Sequence, residues 1–134
     1  MGAFVPLLLK TMESPAWLSL TTKAKALYPL LVGRSGKHRE KNGAFFLSVR
    51  EAAEYLNLDK NTAGKAMQEL QAKGFLIAEK VGVLGVEGVG RATVWRLTEF
   101  ASGKGKPATR EFDRWSEGND FLVQMGRGAG KKPV

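Results

Sequence analysis

Lys60, Asn61, Thr62, Lys65 and Gln68 fall within nine residues of one another, and no carboxylate interrupts them. The amides of Asn61 and Gln68 each set a donor beside an acceptor, which suits bidentate pairing with the edge of adenine. Lys60 and Lys65 bring cations suited to phosphate or guanine. The Thr62 hydroxyl can meet a phosphate, and its methyl can meet that of thymine. The plainer alternative is a polar helix face that only meets water, so the remaining charge has to be weighed.

Among 134 residues, 21 are Lys or Arg and 13 are Asp or Glu, a formal net charge of +8. Such an excess favours polyanions, of which nucleic acid is the commonest. Much of it is clustered. Residues 33–43 hold Arg34, Lys37, Arg39 and Lys41 against the single acid Glu40, and Arg91 follows a glycine-rich run. These five cations are the candidate backbone contacts, with solvation alone as the competing explanation for the loop.

The elements that must position these groups are legible from caps and periodicity. Ser48 with Glu51 forms a capping box, opening a helix to about Asn57 that should bury Val49, Ala52, Ala53 and Leu56. Asp59 can cap a second helix, Lys60 to Lys73, whose inner face would hold Ala63, Ala66, Met67 and Leu70. Gly74 then suits a left-handed terminus. Upstream, Phe4 to Glu13 reads as a short helix with Pro6 at its first position, and Ser14-Pro15 as a fresh start. A further helix from Thr21 or Thr22 would bury Ala24, Leu27, Tyr28 and Leu31, with Pro29 expected to kink or end it. Residues 33–43 read as a loop and 44–47 as a brief strand.

Past Gly74 the period changes. Phe75 to Lys80 and Ala92 to Leu97 read as strands, the second with Val94 and Leu97, or Trp95, turned inward. Between them the loop 81–91 carries Gly82, Gly85, Gly88 and Gly90. The pattern predicts an α+β fold, mainly α: a winged helix-turn-helix with a C-terminal β-hairpin wing over residues 1–99. A tail, 100–134, would follow. In it, 109–117 could form one short helix capped by Thr109, with Phe112 and Trp115 on one side, and the end should be disordered.

Residues 48–77 resemble the winged-helix half of GntR-type and related bacterial regulators, matching at Arg50-Glu51, Ala53, Leu56, Leu58, Thr62, Ala66, Leu70, Gly74 and Ile77. The chain as a whole is similar to short helix-turn-helix proteins of phages, plasmids and proteobacterial chromosomes, whose ends often carry a stretch like 108–115. The resemblance implies that helix 60–73 enters the major groove while the wing 81–91 touches backbone or minor groove. It also implies that Lys60 and Thr62 contact phosphates or bases. Two departures are expected: Gly64 stands where such regulators often have Arg, and only 37 residues follow the second wing strand, too few for an effector domain.

The function so implied is sequence-selective binding of double-stranded DNA, for transcription regulation or replication initiation, in the cytoplasm on the nucleoid. A winged helix serving as a protein-interaction module is the alternative. A homodimer could form through the apolar N-terminal segment or through Phe112 and Trp115, and the same two aromatics could seat a protein partner. Single-stranded binding would need them exposed.

Enzymatic chemistry is poorly provided for. Cysteine is absent, and His38 is the single histidine, so triads and metal centres lack their members. Gly85 to Arg91 resembles a phosphate-binding P-loop only superficially, since Arg91-Ala92 replaces the required Lys and Ser/Thr and a strand should follow. No catalytic residue, cofactor or metal is expected. Leu7-Leu8-Leu9 is too short for a signal peptide or a membrane span, so no membrane partner is expected.

Overall fold

A computed structural model of the chain describes residues 4–80, 93–103 and 105–124. Its first helix, α1 (Leu9–Met12), is a single turn without a side-chain cap. The expected helix from Phe4, with Pro6 leading it, is therefore cut to its last residues. Residues 4–8 supply no capping group, and Val5 packs against the core beside Gly33. In α2 (Pro15–Leu18), Ser14 accepts the Trp17 N–H and Pro15 takes the first position, where its missing N–H costs nothing.

Thr21 caps α3 (Thr22–Arg34), which continues beyond Pro29, where a kink or an end was expected, and does not end there. Proline removes one backbone bond. Leu27, Tyr28, Leu31 and Val32 are buried on both sides of it, and their removal from water outweighs that loss.

After β1 (Phe45–Phe46), the reciprocal Ser48–Glu51 capping box starts α4 (Val49–Leu56). Asn57, in the left-handed region at φ 58°, turns the chain, and Asp59 caps α5 (Lys60–Ala72) through the Thr62 N–H. Ala52, Ala53, Ala63, Ala66, Met67 and Leu70 are buried as their periodicity requires. Val49 is not: 38% exposed, it lies at the rim of α4, beside Gly64 of α5. Leu56 is only half-buried.

The hairpin strands are β2 (Leu76–Lys80) and β3 (Val94–Leu97). With β1 they form an antiparallel sheet in the order β1-β3-β2, with a register shift between Ala78 and Lys80. Trp95 and Leu97 point inward, not Val94, and the Trp95 indole N–H donates to the Leu47 carbonyl at 3.1 Å. Three helices (α3, α4, α5) and a small sheet around one core make this a winged helix-turn-helix. The wing tip lies outside the described residues.

The core continues beyond residue 99. The helix expected over 109–117 is one 3-10 turn, Glu111–Arg114, with Arg110 left-handed at its start. Thr109 does not cap it, because its hydroxyl donates to Glu111 instead. Phe112 stacks on Phe75 with centroids 4.6 Å apart, and Trp115 is buried too. Both aromatics are thus withdrawn as seats for a dimer, a protein partner or stacked bases, because the chain's own core already uses them.

Polar groups lock this packing. Buried Glu99 accepts the Thr11 hydroxyl at 2.5 Å and the Tyr28 hydroxyl, joining α1 and α3 to the end of the sheet. Burial, then the Glu99 charge and hydrogen bond, push the Tyr28 phenol well above its usual range, against a smaller opposing effect of Arg110. A raised folded-state value favours the neutral phenol, so this stability is complete below about pH 10 and is lost as pH rises further. Alkaline ultraviolet titration should therefore show one of the two tyrosines ionising only as the far-ultraviolet helical signal collapses. Two tyrosines ionising in a still-folded protein would contradict the buried pair.

Candidate nucleic-acid interface

Burying Ala63, Ala66, Met67 and Leu70 turns the other side of α5 outward. Lys60, Asn61 and Lys65 are exposed, and Gln68 and Thr62 are half-buried. Asn61, Lys65 and Gln68 follow the i, i+4, i+7 spacing of one stripe. Glu69, the nearest acid beyond it, is occupied elsewhere: its carboxylate accepts the Thr21 N–H at 2.6 Å and the Thr21 hydroxyl at 2.7 Å, pinning the start of α3 to α5.

Two details narrow the chemistry. The Thr62 hydroxyl donates to Asp59 at 2.6 Å, so its proton is committed to the cap. That bond and the Thr62 N–H lower the Asp59 carboxyl below its ordinary range. A fixed carboxylate therefore fills the anion site at the helix N-terminus, leaving the flank of α5 rather than its tip for contact.

The loop cations divide. Arg34 donates to Glu51 at 2.9 Å and to the Phe46 carbonyl at 3.3 Å, bracing the end of α3 against the start of α4. The Arg39 guanidinium folds back onto the Gly36 and Lys37 carbonyls and lies 5.8 Å from the Phe100 ring centroid. Lys37 and Lys41 are exposed. Arg91 lies outside the described residues. Arg96 pairs with Glu79 and donates to Thr109 at 2.9 Å.

Arg50 was not among the residues singled out for contact. It is exposed at the second position of α4, next to Val49, whose Cγ1 would sit 3.8 Å from a Cβ on Gly64. The start of α4 and the middle of α5 therefore meet at Val49 and Gly64, and Arg50 is the next residue of α4. The C-terminal aromatics, by contrast, pack at the far end of α5. Phe121 N–H donates to the Ala72 carbonyl at 2.8 Å, and Lys73 Nζ stands 4.2 Å from the Trp115 ring centroid. No hydrogen bond or ring contact among the described residues ties them to residues 60–68.

Among the described residues no group of His, Cys, Asp and Glu could hold a metal, and no helix is long and apolar enough to cross a membrane. Residues 18–76 match the family described as a helix-turn-helix domain. The match takes in α3, α4 and α5 and ends at the first residue of β2. No curated protein and no solved structure matches the chain.

Gly64 gives a direct probe of the outward face. It lies within a helix without a positive φ, and a methyl there would meet only ordinary contact with Val49. Gly64→Ala should raise stability by about 1 kcal/mol, read as a higher denaturant midpoint at unchanged slope. If α5 lies close against a nucleic-acid backbone, the same variant should bind duplex DNA more weakly despite its greater stability.

Proposed function

We propose that this protein binds double-stranded DNA with sequence selectivity, in transcription control or replication initiation on a bacterial nucleoid or a mobile element. The observation that carries the reading is the acid-free stripe of Asn61, Lys65 and Gln68 on the outer face of α5, with exposed Lys60 at its start and exposed Arg50 on the neighbouring α4. In this reading α5 lies in the major groove, where Asn61, Lys65 and Gln68 meet base edges. Lys60, Arg50, Lys37 and Lys41 neutralise phosphates, and the wing 81–91, with Arg91, follows the backbone or minor groove. The braced guanidiniums of Arg34 and Arg39 shape the loop that presents the two lysines.

One protomer has a small footprint, so two copies on a two-fold site are proposed. Phe112 and Trp115 being buried, the seat for the second copy is the N-terminal segment, where Phe4 is 80% exposed and Leu7, Leu8, Leu9 and Leu18 also face outward.

Selection of bound sequences from random duplex DNA tests the reading, run with the native protein and with Lys65→Ala/Gln68→Ala. A palindromic preferred site that changes in the variant identifies base readers and a dimer. Uniform weakening with an unchanged site assigns the two residues to the backbone. With about six phosphates neutralised, log affinity should fall with log salt at a slope of roughly −5. Binding indifferent to salt would overturn the mechanism.

A further inference from the structure

Residues past the 3-10 turn hold the last turn of α5 in a way that simple coverage of the core does not require. Gln71 is buried at 4% exposure, yet it is an amide on a helix face otherwise filled by Ala63, Ala66, Met67 and Leu70. A buried amide is costly unless paired. This one is paired in both directions with a single residue: the Gln124 N–H donates to Gln71 Oε1 at 2.9 Å, and Gln71 Nε2 donates to the Gln124 carbonyl at 3.4 Å. At the next residue of α5, the Phe121 N–H satisfies the Ala72 carbonyl, one of the acceptors a helix leaves open at its C-terminal end.

Gly74 makes the approach feasible. Its φ is +90°, and a Cβ there would fall 2.7 Å from the Phe112 nitrogen and 2.8 Å from the Phe121 ring. Lys73 adds a hydrogen bond of 2.8 Å to Ser19 and its contact with Trp115.

Apolar burial explains the position of residues 121–124 only in part: Phe121 is half-buried against the core beside Gly74. Leu122 is 79% exposed, and between this strap and β2 runs an open cleft of about 220 Å³ lined by Leu76, Ile77 and Ala78. Beyond the Phe121 ring, the hydrogen bonds to Gln71 and Ala72 hold the strap to α5. Since a helix rises about 1.5 Å per residue, the stripe at Asn61 to Gln68 lies within about 15 Å of this clamp on the same rigid rod.

We propose that Gln71 is a positioning residue for base recognition: by clamping the strap at Gln124 it sets the lie of α5, and so the register of Asn61, Lys65 and Gln68, without touching the nucleic acid. The inference rests on the DNA-binding reading above. It predicts that loosening the clamp lowers affinity for the preferred sequence while leaving phosphate-driven binding intact.

The test uses the full chain with Gln71→Met, which keeps volume and helix propensity but removes both hydrogen bonds, and with Gln124→Pro, which removes the donor from the other side. Each is measured for affinity to the selected sequence and to unrelated duplex, for salt slope, and for amide hydrogen exchange along α5 without DNA. We expect specific affinity to fall by about tenfold, non-specific affinity and salt slope to stay unchanged, and exchange within Ala63–Leu70 to quicken relative to α3. The double variant should be no worse than either single one. Unchanged exchange in α5, or equal loss of specific and non-specific binding, would overturn the proposal. If the native protein shows no sequence preference, the DNA-binding reading fails by itself, and hydrogen exchange still decides whether the strap steadies α5.

Discussion

The close packing of α4 and α5, each of which buries a pair of alanines, is the constraint on which the rest depends. Ala52, Ala53, Ala63 and Ala66 are almost wholly buried, and Met67 and Leu70 complete the inner face of α5. Short side chains leave little room for repacking, so a larger residue at any of these places would push the helices apart. Once that face is committed, helical geometry leaves no choice about the other. Asn61, Lys65 and Gln68 must stand outward together, and the tight turn at Asn57 sets the start of α4 beside them.

Polar groups then decide which arrangement of those helices is adopted. Glu69 of α5 holds the cap of α3, and Arg34 at the end of α3 holds Glu51 at the start of α4. Buried Asn42 binds Leu97 through both ends of its amide and also donates to the Phe100 and Ala101 carbonyls, tying the basic loop to the sheet. Glu99 gathers Thr11 and Tyr28. Exposed pairs such as Arg34–Glu51 contribute little free energy each. The buried ones exact a large penalty from any packing that leaves them unpaired, and so they select one geometry.

The same bonds sort the positive charge. A formal charge of +8 says nothing about which cations are free to meet phosphate. Arg34, Arg39, Arg96 and Arg110 have partners inside the chain. Lys37, Lys41, Arg50, Lys60 and Lys65 are exposed. Of these five exposed cations among the described residues four are lysines, which favours contacts made as point charges over bidentate forks.

What the sequence by itself determined is local. Ser48 with Glu51, Asp59, Thr21 and Ser14 mark helix starts because a capping side chain and its target N–H lie three residues apart, and the alanine stripes follow from period alone. From these the winged helix-turn-helix and the outward face of α5 were legible. What needed the tertiary structure involves partners far apart in the chain: Thr11 with Glu99 across 88 residues, Gln71 with Gln124 across 53, Arg34 with Glu51 across 17. Whether Pro29 ends a helix, whether Phe112 and Trp115 face in or out, and which arginines are spent internally turn on the same long-range packing. Periodicity and capping report only on neighbours within a turn or two, whereas burial and charge pairing are settled by whatever the completed fold brings alongside.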